Sequence, residues 1–215
     1  SQDKNSAVLK RTIDETVYFV LLRWQGTAKL KQKGKNFYQL QSKSADLKLT
    51  CEYAEQISSE SKTFAEVADA AKAYWNRYWQ KGAMVDFGQC KDPRAQEMER
   101  RVVLSQYLLA IQDAGETPPQ ETGLTYNSWF GKFHLEMILW HQAQFALWGH
   151  PELLERSLSW YFKAEPNARK IAQRQGFKGV RWMKMTDPWV GEAPSNVGSF
   201  LIWQQPHLIY LAELL

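Results

Sequence analysis

The chain has 215 residues, 44% of them hydrophobic, a net charge of only +4, two cysteines and ten tryptophans. That is enough apolar material for one large domain or two small ones. The weak charge argues against a nucleic-acid-binding face, no apolar run reaches membrane-span length, and neither Cys51 nor Cys90 sits in a zinc-ligand motif.

The N-terminal 57 residues read as strands. VYFVLLRWQ, residues 17–25, is a buried β run, and residues 28–31, 36–41 and 45–53 follow, with alternation clearest in LKLTCEY. Gly26 and the Lys33-Gly34-Lys35 turn punctuate them. KLKQKGK, the densest part of the positive excess, reads as a solvated turn. Residues 1–62 hold eleven Lys plus Arg against seven Asp plus Glu, and the remainder balances. Cys51 and Cys90 could pair, though their spacing does not decide it.

The pattern changes near residue 60. Ser59, Ser61 and Thr63 offer N-caps for a helix that ends at Gly82, and residues 83–87 form a short strand or link. A helix over 92–114 starts with Asp92 as cap and Pro93 in its first turn. It is apolar over much of its circumference, so burial is expected. Helices are also predicted over 133–148, 151–162 and 166–175, the first ended by Gly149 and the last by Gly176. The segment from Phe200 is apolar, is interrupted at Pro206 and continues as HLIYLAELL. The order is an antiparallel β piece followed by an α piece, an α+β chain.

Three polar-aromatic clusters separate the helices: PPQETGLTYNSWFGKFHLE at 118–136, RWMKMTDPWVGEAPS at 181–195 and WQQPH at 203–207. Seven of the ten tryptophans fall between Trp129 and Trp203. Flat aromatic faces mixed with amides, carboxylates and imidazoles suit a sugar, whose ring stacks while its hydroxyls take hydrogen bonds. Asn127 also reads as a turn or cap residue, Arg181 and Lys184 as a solvated basic turn around Trp182, and Glu136 as a first-turn acid. His141 and Trp140 read as packing, and His150 as a surface turn residue. Among the three clusters, Glu121, Glu136 and Glu192 are the acids that could serve glycoside chemistry, which usually needs two carboxyl groups.

From Glu97 onward, ERRVVLSQYLLAIQDAGETPPQETGL, NSWFGKFHLEMILWHQAQFALWGHPELLERSLSWY, GVRWMKMTDPWVGEAPS and LIWQQPHLIYLAEL together resemble the (α/α)6-barrel, six-hairpin glycosidases. These include glycoside-hydrolase-like proteins of polysaccharide-degrading gut bacteria, distant relatives of the maltose, kojibiose and trehalose phosphorylases. The resemblance implies a β-sandwich portion over 1–57, a helical linker over 58–90 and the first part of a barrel over 91–215. Gly131 to Glu136 occupies the place of the phosphorylases' Gly-His, Phe-Trp-Asp-Thr-Glu motif. Glu136 matches its glutamate, and His134 stands where that family has a sugar-binding aspartate. Gly191 and Glu192 match the end of a second family loop.

The implied activity is hydrolysis of an oligosaccharide, with inversion; phosphorolysis and non-catalytic sugar binding are the alternatives. Glu136 and Glu192 are the catalytic candidates, with the general acid expected beyond Leu215 because a complete barrel needs twelve helices. The substrate-binding candidates are Asn127, Trp129, Lys132, His134, Arg181, Trp182, Lys184, Trp203, Gln204, Gln205 and His207. No metal or cofactor is expected, nor a nucleic-acid or membrane partner. Partnership is expected with an oligosaccharide, and through self-association or a further portion of the same protein. The expected compartment is periplasmic or secreted.

Overall fold

The computed structural model describes residues 2–57, 62–123, 126, 128–193, 195, 197, 198 and 200–215. Two compact units, 1–77 and 78–215, divide it. The fold is mixed α+β, with antiparallel sheets and several helices.

In the first unit, β1 (Gln2–Asp3), β2 (Ser6–Ile13), β3 (Thr16–Trp24) and β6 (Leu49–Ala54) make a four-stranded antiparallel sheet in the order β1-β2-β3-β6. The run of Val, Tyr, Phe and Leu in β3 suits its central place between β2 and β6. The β2–β3 hairpin closes on two residues, pairing Ile13 with Thr16. Asp14 takes the left-handed conformation at φ 52°, which such turns require and Asp tolerates. β4 (Ala28–Gly34) and β5 (Phe37–Ser42) form a separate hairpin. Its turn is Lys35-Asn36, one residue beyond the predicted centre, because Gly34 pairs with Phe37. Trp24, Ala7 and Ala28 form a small core, with Leu22, Leu30 and Leu40 against it.

Helix α1 (Phe64–Lys81) begins at a capping box. The Thr63 N–H and hydroxyl donate to Glu66 at 2.6 and 2.7 Å, and the Glu66 N–H donates to the Thr63 hydroxyl at 3.3 Å. Thr63 is thus the cap; Ser59 and Ser61 lie outside the described residues.

The second unit is mainly helical. α2 (Ala95–Gln112) starts later than predicted: Asp92 accepts the Arg94 N–H at 2.9 Å and turns the chain before the helix. Burial of this helix was expected and is not found. Met98, Leu104, Tyr107, Leu108 and Ile111 are exposed, and Ala95 and Gln106 alone are buried within it. No strand forms over 83–87.

α3 (Ile138–Leu147), α4 (Pro151–Arg174) and α5 (His207–Glu213) pack on one another around Ile138, Phe145, Leu154, Leu158, Tyr161 and Leu211. The two predicted helices over 151–175 are one, with Pro166 inside it. Pro166 cannot donate to the Phe162 carbonyl. Both residues are exposed, so water can replace that bond, while Ala164, Ala168 and Ala172 keep the opposite face closely packed. Gly149 and Gly176, at φ 86° and 80°, each end a helix with the paired bonds of a Schellman motif.

His150 corrects an expectation. It is buried rather than at the surface, and its ring stacks on Tyr78 with centroids 3.8 Å apart. Cys51 and Cys90 are both free, exposed thiols, so the possible pairing is absent.

Candidate functional site

The predicted helix over 133–148 starts five residues late because its first residues are taken by a sheet. β7 (Phe133–His134) pairs antiparallel with β8 (Met185–Thr186), setting Phe133 opposite Thr186 and His134 opposite Met185. The His134 N–H donates to the Pro119 carbonyl at 3.0 Å, and the Glu136 N–H to the Lys184 carbonyl at 3.2 Å. The first bond closes the first polar-aromatic cluster on itself, and the ladder and the second bond join it to the second cluster.

The third cluster is tied to both. The Trp182 N–H donates to the Gln205 side-chain oxygen at 2.9 Å, and the Gln204 amide donates to the Trp182 carbonyl at 3.1 Å. The His207 Nδ1 lies 3.1 Å from the Leu135 carbonyl, which fixes its proton on Nδ1. The three segments therefore meet in one region of the second unit.

Six side chains form two contacting sets there. Lys184 sets its ammonium 3.3 Å from Glu136, with both side chains largely sheltered at 13% and 15% exposure. The same ammonium stands 4.9 Å from the Trp129 ring centre, a cation–π contact. His134, almost wholly buried, places Nε2 3.8 Å from the Glu121 carboxyl. Ser128 donates its hydroxyl to that carboxyl at 3.3 Å. Behind it, His141 Nε2 is 3.1 Å from the Glu121 carbonyl.

The His134 tautomer follows from its partners. Its Nδ1 accepts the Met137 N–H at 3.3 Å, so the ring proton sits on Nε2, toward Glu121. Burial first, and then the nearby Lys184 charge and His141, push His134 down to about 4. At neutral pH the ring is an uncharged N–H donor, and its approach to Glu121 is a dipolar contact rather than an ion pair. Burial also lowers His141.

The backbone carrying the exposed Trp129 is strained. Trp129, Phe130 and Gly131 take φ of 50°, 61° and 64° in succession, within a single 3-10 turn over Trp129–Gly131. Left-handed geometry is costly for two bulky aromatics, and such strain concentrates at functional positions.

The remaining candidates are placed as follows. Lys132 is half-buried beside this turn, and Asn127 lies outside the described residues. Trp182 is buried, with its ring against Tyr161 and Trp160 at 4.8 and 6.2 Å between centroids, so it is a core residue and not an open stacking platform. Gln204 and His207 are buried and turned toward backbone groups of the fold; half-buried Gln205 does the same. Arg181 is buried with its guanidinium 5.9 Å from the Phe177 ring centre. Trp203 is exposed.

Glu192 is exposed and forms a single β-bridge with Thr186. Asp187, which precedes it in this loop, is occupied locally: its carboxyl accepts the Trp189 and Gly191 N–H groups at 2.8 Å each. Glu121 and His141 are the residues that reading by sequence placed least well. Glu121 was visible only as an acid inside a cluster, and His141 as a helix-interior histidine.

Among the described residues there is no cluster of side chains able to hold a metal ion and no helix long and apolar enough to cross a membrane. No protein-family model, curated protein or solved structure matches the chain.

Proposed function

We propose that this chain is a carbohydrate-active protein, a glycoside hydrolase that cleaves an oligosaccharide with inversion. In that reading the strands belong to a β-sandwich and the helices to an (α/α)6 barrel. One observation carries it: exposed Trp129 lies against Lys184, which pairs with Glu136, and the neighbouring β7 strand carries His134 against Glu121. An aromatic face takes the apolar side of a pyranose ring. The Lys184 ammonium and the His134 N–H donate to hydroxyls, and the carboxyls accept from them.

Hydrolysis with inversion needs one carboxyl to protonate the leaving oxygen and another to activate water, about 6.5–9.5 Å apart. Glu136, paired with Lys184, and Glu121, beside His134, are the first pair to assign to these roles. Glu192, on the exposed turn, is the third candidate. A non-catalytic sugar-binding protein is the second reading. It is favoured by the Lys184–Glu136 ion pair, which occupies a carboxyl that hydrolysis would use.

The test measures binding and turnover over a panel of neutral oligosaccharides. Trp129→Ala is expected to weaken binding about tenfold. Glu136→Gln is expected to cut turnover by about 10²–10⁴ while leaving binding measurable. Binding without turnover supports the second reading, and no binding by any member of the panel overturns both.

A further inference from the structure

Asp113 follows α2 and is held firmly by its backbone. Its N–H donates to the Leu109 carbonyl at 2.8 Å, and its carbonyl accepts the Gln142 amide at 2.6 Å. Its side chain has no such anchorage. Asp113 is only 5% exposed, and its Oδ1 is shielded from water with no hydrogen-bond partner. A buried carboxyl oxygen left in this state is costly unless something donates to it.

The same residue lines a recess of about 420 Å³. Ile111, Pro118, Pro119 and Phe133 supply apolar walls, and Gln120 a polar one. The volume lies in the range of small-ligand sites, about 300–1,000 Å³. The recess abuts the site described above: Pro119 accepts the His134 N–H, and Glu121 follows Gln120 in the chain.

We propose that this recess is a second ligand site, which takes a neutral pyranose unit through a hydroxyl donated to Asp113. Rotation about the soft χ2 bond turns the carboxyl to the recess wall, where a hydroxyl can satisfy the unpartnered oxygen. The proline rings, Ile111 and Phe133 match the C–H face of a sugar ring. Burial, which pushes the Asp113 carboxyl up to about 7, favours an uncharged partner over an amine at neutral pH and below. The ligand class rests on the carbohydrate reading above.

The experiment maps backbone amide shifts of the full chain on titration with neutral gluco-, manno- and xylo-oligosaccharides of two to six units. Shifts at Ile111, Gln120 and Phe133, persisting in Trp129→Ala, are the expected result. Asp113→Ala should weaken that component roughly tenfold, the loss of one good hydrogen bond, and Asp113→Asn should retain most of it. Ala110→Phe, which fills the recess from α2, should abolish it and guards against misfolding of the Asp113 variants. Shifts confined to Trp129 and Lys184 would overturn the recess while leaving the carbohydrate reading standing. No shift anywhere with any oligosaccharide would overturn both.

Discussion

Lys184 and Glu136 form an ion pair across the end of the β7–β8 ladder, 3.3 Å apart and nearly closed to solvent. The ladder makes it possible. The Glu136 N–H donates to the Lys184 carbonyl, so the two side chains leave the backbone side by side. Removing one member strands the other charge in a sheltered place. Glu136→Gln and Lys184→Met should each destabilise the second unit by about 1–3 kcal/mol, and the double variant should recover part of the loss. A double-mutant cycle by urea denaturation checks this; additive losses would show that the pair is uncoupled.

His134 makes a contribution to stability that acid removes. Free histidine titrates near 6.5, whereas His134 is held down to about 4. Between those values the unfolded chain binds a proton that the folded chain refuses. This contribution is therefore fully present above about pH 6.5 and is lost as pH drops toward 4, with a limiting slope of about 1.4 kcal/mol per pH unit. His141, also lowered by burial, adds to the same trend. Urea midpoints at pH 7 and pH 5 measure it in the Asp113→Asn background, which removes the opposing carboxyl, and adding His134→Gln should flatten the difference.

Asp113 works in the opposite direction. Its unfolded carboxyl titrates near 3.9, and burial raises the folded one to about 7. Stability is lost as pH rises through that window, since only the unfolded chain gives up its proton there. Asp113→Asn should stabilise the protein by about 1–3 kcal/mol at pH 8 and have little effect at pH 4. Equal effects at both values would show that its carboxyl is not held protonated.

Gly82 meets His150 too closely to accept a side chain. A Cβ there would lie 2.1 Å from the His150 Nε2 and 2.9 Å from the Trp148 carbonyl oxygen. His150 is in turn pinned by its stack on Tyr78. Gly82→Ala should cost about 1–3 kcal/mol through this overpacking. Thermal melts of Gly82→Ala and of Gly82→Ala with His150→Ala distinguish the causes: relief in the double variant locates the clash.

Local chemistry was enough for much of the secondary structure. The β3 run, the Thr63 cap and the glycines at 149 and 176 act through side-chain branching, capping oxygens and φ freedom, all of which operate within a few residues. The grouping of the three polar-aromatic clusters at helix ends was legible in the same way, because loops of that composition rarely lie inside a helix. What each residue does within the clusters was not. Trp182 and Trp129 are both tryptophans in polar loops, yet one is in the core and the other half in solvent. Gln204 and His207 look like ligand contacts by type but bond to backbone carbonyls from distant segments. His150 has the sequence setting of a turn residue, but in the fold its ring stacks on Tyr78. Residues 133–134 had helical patterning, but pairing with Met185–Thr186, some fifty positions away, pulled them into a strand. Such outcomes depend on which buried polar groups find partners across the fold, and that balance arises only once the chain has closed on itself.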